Sequence, residues 1–166
     1  MSTTEYHHHL APGGAVHHPW ANSKQKENEL YRGVFCALIA LGVPMNLHGF
    51  DYLITAIILT AEDPSYVQNV TTRLYPKIEE YYGAGKGTVE RDIRTAIENT
   101  FLNKDIKVLH DYFGNLIDEK SGKVKNSKFI GKVAADVRID VMSFCLDDTR
   151  KRVLSELGIE SEIPEE

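Results

Sequence analysis

Long apolar runs are missing from this chain of 166 residues. No stretch approaches the roughly 18 consecutive apolar residues that read as a membrane span. The N-terminus also lacks a charged start followed by an apolar run, so a secretory signal is not expected. These absences predict a soluble, cytoplasmic protein with no membrane partner. Cysteine is nearly absent as well, with only Cys36 and Cys145, both inside apolar runs (GVFCALIAL and VMSFCL). Two cysteines cannot build a disulfide framework. Buried thiols in a reducing cytosol are the expectation, with a single structural disulfide as the competing reading.

Catalytic signatures are lacking too. No G-x-x-x-x-G-K-[ST] loop and no H-E-x-x-H occurs. Outside the N-terminal region the only histidines are His48 and His110, and neither belongs to a nucleophile motif. The glycines of Gly83–Gly87 resemble a phosphate loop in composition alone, because they follow a helical pattern where such a loop follows a strand. No enzyme, no cofactor and no native metal site are expected. His7, His8, His9, His17 and His18 form a histidine-rich tract without cysteine or carboxylate partners at site spacing, which reads as adventitious metal binding by an arm.

What is present is ordinary for a globular domain: 42% hydrophobic and 26% charged residues, with a net charge of −5. A chain of this size buries a core without staples. The sum of charges hides their segregation. Glu160 to Glu166 holds four glutamates and no base, whereas Lys120 to Lys132 holds five lysines and no acid. Two readings of the lysine run stand, a solvated loop and a basic surface.

Residues 1–22 carry glycine, proline and little periodicity, and read as a flexible arm. A helical domain is expected over 23–146, and 147–166 reads as a last helix with an acidic tail. Leu30, Val34, Leu38 and Leu41 recur at helical spacing until Gly42-Val43-Pro44 stops them. Tyr52 to Ala61 is apolar nearly all round, as a buried central helix would be. The next helix is expected from Ser65 to Tyr82, capped by Asp63 or Ser65. Its apolar face is Val67, Val70, Leu74, Ile78 and Tyr81, and Pro76 should kink it near Leu74. After the glycine turn, Val89, Ile93, Ile97 and Phe101 stripe a second helix. A short helix over Asp105 to Phe113 follows, then the lysine loop, then a helix capped by Asn126 or Ser127 and carrying Phe129, Ile130, Val133 and Val137. No set of paired strands is legible. The fold class is all-α, with six or seven helices.

Two helices joined by a short glycine-containing turn satisfy the requirements of a helix-turn-helix. In the second of them the side opposite the apolar stripe displays Thr88, Arg91, Arg94, Thr95 and Glu98. Arginine grips guanine O6 and N7 bidentately, and threonine meets a thymine methyl or a phosphate. Pattern alone leaves a helical bundle with a solvated face as the alternative.

The residues themselves point further. LGVPMNLHGFDYL (Leu41–Leu53), TRLYPKIEEYYG (Thr72–Gly83), TVERDIRTAIE (Thr88–Glu98) and NSKFIGKVAADVRI (Asn126–Ile139) occur in this order. Over Glu29 to Ile139 the chain resembles the C-terminal effector-domain family of the response regulator that initiates sporulation in endospore-forming Firmicutes. The resemblance implies a six-helix transcription regulator that uses its helix-turn-helix on duplex DNA, at a TGTCGAA-like box that is often present in tandem and occupied as a homodimer. It implies that Glu90, Arg91 and Arg94 contact bases or backbone. It also implies that Asn103 to Phe113 faces RNA polymerase sigma factor. Lys86, Lys123, Lys125 and Lys128 are the phosphate-holding candidates beside them. Thr88 and Thr95 stand where the family carries a basic residue and a histidine, so the box itself is expected to differ. Some 28 residues ahead of the matched region are too few for the family's receiver domain. A receiver-less interaction module or antagonist, with the fold kept and specific readout lost, is the alternative. The extension from Asp140 onward is expected either to pack on the domain or to form a dimer surface.

Overall fold

The computed structural model describes residues 24–140, and among them six α-helices hold most of the backbone. Helix α1 is Lys24–Leu41, α2 is His48–Glu62, α3 is Tyr75–Tyr82, α4 is Thr88–Asn103, α5 is Ile106–Phe113, and α6 spans 126–140. The only sheet-like pairing among the described residues is one antiparallel bridge between Ile117 and Val124. The expected arm over 1–22, the last helix with its acidic tail, and Cys145 lie outside the described residues.

Helix α2 is the hub, as its uniformly apolar sequence demands. Every residue from Gly49 to Ala61 except Asp51 is buried, and the helix packs along α4 and against α1 and α3. The closeness of α2 to α4 depends on Gly49. A Cβ there would overlap the Asp92 carbonyl oxygen and sit 2.8 Å from the Ala96 Cβ. The next residue, Phe50, fills the core and meets Phe35 edge-on. On the other side, Gly33 brings α1 against α6, with only 2.9 Å between its virtual Cβ and Val137 Cγ1. Phe129 of α6 stacks on Phe113 of α5, so both late helices close onto the same core.

The expected continuous helix from Ser65 to Tyr82 is instead three pieces. Asp63 caps a 3-10 turn, Pro64–Gln68, by accepting from the Ser65 amide at 3.0 Å. A π-helical turn, Val70–Leu74, follows, in which the Leu74 amide reaches back five residues to the Asn69 carbonyl at 3.2 Å. Only then does α3 begin, with Pro76 in its first turn. Proline lacks an amide and its ring crowds the carbonyl four residues back, so it belongs at a helix start and not in an interior. The kink near Leu74 is thus a wide turn plus a new helix. Tyr81, expected on the apolar face, is 39% exposed. Cys36, expected buried, is exposed, because the core face of α1 is taken by Leu30, Val34, Leu38 and Leu41.

Two further expectations need amendment. Neither Asn126 nor Ser127 caps α6, because both lie within its first turn and the Lys125 carbonyl accepts the Phe129 amide at 2.9 Å. In α4 the buried stripe is Val89, Ile93, Ala96, Ile97 and Thr100, with Phe101 only partly covered. The buried Thr100 hydroxyl donates to the Ala96 carbonyl at 2.9 Å, which removes the cost of its polarity.

Candidate nucleic-acid interface

Helices α3 and α4 are joined by a turn whose geometry the sequence specifies closely. Gly83 ends α3 at φ +63, and the amide of Ala84 donates to the Glu79 carbonyl at 2.9 Å, in the manner of a glycine C-cap. Gly87, at φ +78, precedes α4 and has no side chain with which to cap it. Glu79 supplies the missing cap from α3: its Oε1 accepts the Gly87 amide at 2.5 Å. A carboxylate there also faces the positive end of the α4 dipole. Gly83 and Gly87 are therefore the residues that a left-handed backbone requires.

Helix α4 presents its outer face with the side chains already constrained. Arg94 is paired with Glu90 one turn earlier at 2.6 Å, and Arg91 with Asp92 at 3.2 Å. The Arg91 side chain is 72% exposed and that of Arg94 58% exposed. Thr95 turns its hydroxyl back onto the Arg91 carbonyl at 3.0 Å, and Asn99 does the same to Thr95 at 2.8 Å. Thr88 is half-buried at the first position of α4, and Lys86 is exposed in the turn.

The lysine-rich segment is an ordered loop. Asp118 organises it by accepting the amides of Lys120 at 3.2 Å and Ser121 at 2.8 Å, while its own amide donates to the Lys123 carbonyl at 2.9 Å. Those bonds hold the Asp118 carboxyl below the usual carboxylate range. The Ile117–Val124 bridge closes the loop at its base, and both residues are buried. The loop lies alongside α4 and leaves a groove between them. Glu90, Arg94 and Glu98 wall it on one side, and Lys123, Lys125 and Ser127 on the other.

One side chain ties the groove together. Asn126 Nδ2 donates both to the Glu90 carbonyl at 3.2 Å and to the Tyr75 hydroxyl at 3.1 Å, linking α6 to α4 and α3. Burial pushes the Tyr75 phenol above its ordinary value, with the Asn126 bond acting the other way. Across the groove Lys123 Nζ meets Glu98 at 3.2 Å.

Of the nine residues singled out by sequence, Glu90, Arg94, Lys123 and Lys125 line this one groove. Lys86, Thr88, Arg91 and Thr95 lie along the turn and the remaining α4 face, and Lys128 is exposed in the first turn of α6. Thr71, Asn126 and Ser127 also line the groove and were missed. Only the NSKF segment, read for capping, hinted at the last two. The groove is not a purely cationic surface, since Glu90, Glu98 and Asp118 line it together with Arg94, Lys123 and Lys125. Exposed pairs of this kind are worth only about 0–1 kcal/mol, so each cation is held in place at little cost to its release. Among the described residues there is no cluster of three or more potential metal ligands, and no helix is long and apolar enough to cross a membrane.

A family model described as sporulation initiation factor Spo0A C terminal matches residues 34–137. The match runs from the middle of α1 to near the end of α6 and contains the whole α3–turn–α4 unit and the groove beside it.

Proposed function

The chain belongs to the family of Spo0A C-terminal domains, a helical DNA-binding effector family and not an enzyme family, and from that premise we propose that it reads duplex DNA sequence-specifically as a transcription regulator. The observation that carries this reading is the α4 face. A glycine turn capped by Glu79 projects a helix whose exposed side holds Arg91, Arg94 and Thr95, with half-buried Thr88 at its start and its one exposed large apolar residue, Leu102, kept to its last turn.

In this account α4 enters the major groove. Arg91 and Arg94 leave their carboxylate partners for guanine edges, where two parallel charge-assisted bonds replace one. Glu90 then accepts from a cytosine amino group or sets the angle of Arg94. Lys86 in the turn and Lys123, Lys125 and Lys128 beside the groove hold phosphates, with Thr88 and Thr95 on backbone or thymine methyls. A TGTCGAA-like box in tandem, occupied by two copies, is the proposed target, and a cytoplasmic location follows from it. Leu102, Ile106 and Val108 are exposed between the end of α4 and α5, which supports the same segment as a contact for RNA polymerase sigma factor.

A second reading has its own support. Both arginines are neutralised by neighbours, and Thr95 is engaged by its own helix. A protein-interaction module that keeps the fold without specific readout would look the same. Fluorescence anisotropy separates the two. The regulator prefers a tandem-box duplex over a scrambled one by about a hundredfold or more, and its affinity falls with salt. No binding to either duplex at low salt would establish the interaction module instead.

A further inference from the structure

The turn between α3 and α4 stands clear of the core at both of its ends. A Cβ placed on Gly83 or Gly87 would meet nothing within 4 Å among the described residues. Packing therefore does not fix the turn at either glycine, and glycine is the residue with the most backbone freedom to lose. The direction of α4 needs another restraint at this end.

Glu79 of α3 holds both ends of the turn. Its carbonyl accepts the Ala84 amide at 2.9 Å, where the chain leaves α3. Its carboxylate Oε1 accepts the Gly87 amide at 2.5 Å, where the chain enters α4. Gly87 passes the restraint on, because its own carbonyl accepts the Arg91 amide at 3.2 Å. A series of bonds thus runs from the α3 carboxylate through Gly87 to the backbone of Arg91, whose side chain is 72% exposed on the outer face of α4. An acid beside a turn that carries Lys86 repels phosphate, so whatever it contributes to DNA binding is geometry and not attraction.

We propose that Glu79 is a positioning residue for sequence readout, fixing the angle at which α4 brings Arg91 and Arg94 to base edges. The inference rests on the reading of α4 as the base-contacting helix. Glu79 itself touches no base; it acts through Gly87 and the first turn of α4.

Two variants of the full chain make the same charge change and differ in the bond. Glu79→Gln keeps an oxygen to accept the Gly87 amide, whereas Glu79→Ala keeps none. Each is titrated by fluorescence anisotropy against the tandem-box and scrambled duplexes, with circular dichroism melts recording stability. The two should bind the scrambled duplex alike, since each removes one negative charge. Preference for the box should stay within about threefold of the unsubstituted chain in Glu79→Gln and fall at least about tenfold in Glu79→Ala, as when one base contact is lost. Preference lost equally in both variants would overturn the proposal by assigning the effect to charge. So would preference kept in both, whatever their melting temperatures, because Glu79 would then be a helix cap alone. An unsubstituted chain with no box preference would instead sink the reading of α4, and this role for Glu79 with it.

Discussion

Asn126 Nδ2 lies 3.2 Å from the Glu90 carbonyl oxygen and thereby fastens the start of α6 to the first turn of α4. The bond is half-buried and is shared with the Tyr75 hydroxyl, so one amide sets the position of the proposed reading helix against two neighbours. Asn126→Ala leaves the Glu90 carbonyl to find water in a confined place. A loss of about 1 kcal/mol in urea-melt stability is expected, near the usual net worth of a hydrogen bond. Binding to the preferred duplex should weaken in the same variant, because α4 is no longer held at one angle. Unchanged stability and affinity would show that the clamp has no energetic role.

Gly49 sets the separation of α2 and α4. A methyl group there collides with the Asp92 carbonyl, which is backbone and cannot rotate away. Gly49→Ala should therefore destabilise by about 1–3 kcal/mol, the range for overpacking a close contact, despite alanine's better helix propensity. Thermal denaturation checks the sign. A stabilised Gly49→Ala protein would mean the two helices are not this close.

Tyr82 links stability to alkaline pH. Its hydroxyl shares a 2.9 Å hydrogen bond with Thr55, and burial pushes the phenol from 10.0 up to about 12. An unfolded chain ionises this tyrosine first, so the stability it contributes is complete below pH 10 and is lost as pH rises toward 12. The phenols of Tyr52, Tyr75 and Tyr112 are shifted in the same direction and add to the slope. Urea midpoints should be flat at neutral pH and fall above pH 10, with a shallower fall in Tyr82→Phe. Identical slopes for the two proteins would remove Tyr82 from the account.

Much of this was legible in the residues. The stripes of α1 and α4, the apolar run of α2 and the stops at Gly42, Gly83 and Gly114 are local properties, and each element begins or ends close to where its pattern changes. Misreadings came where tertiary context decided. Helical spacing carried Tyr81 onto a core face, but it lies in the last turn of α3, two residues before the Gly83 cap, beyond the buried Leu74 and Ile78. Cys36 sits in an apolar run, yet it points away from the face that α2 covers. The site was legible as a set of cations and not as a geometry. Charge pattern named Arg91, Arg94 and the lysines, but nothing in it revealed that Asp118 orders the loop or that Asn126 spans three helices.

The central claim, that α4 reads bases, is tested most directly by titrating two duplexes with two classes of variant. Arg91→Ala and Arg94→Ala should each lose about 1–3 kcal/mol on the box-containing duplex and little on a scrambled one, whereas Lys125→Ala should weaken both alike. Equal losses on both duplexes for the arginine variants would contradict base reading by this helix and reduce its role to holding phosphates.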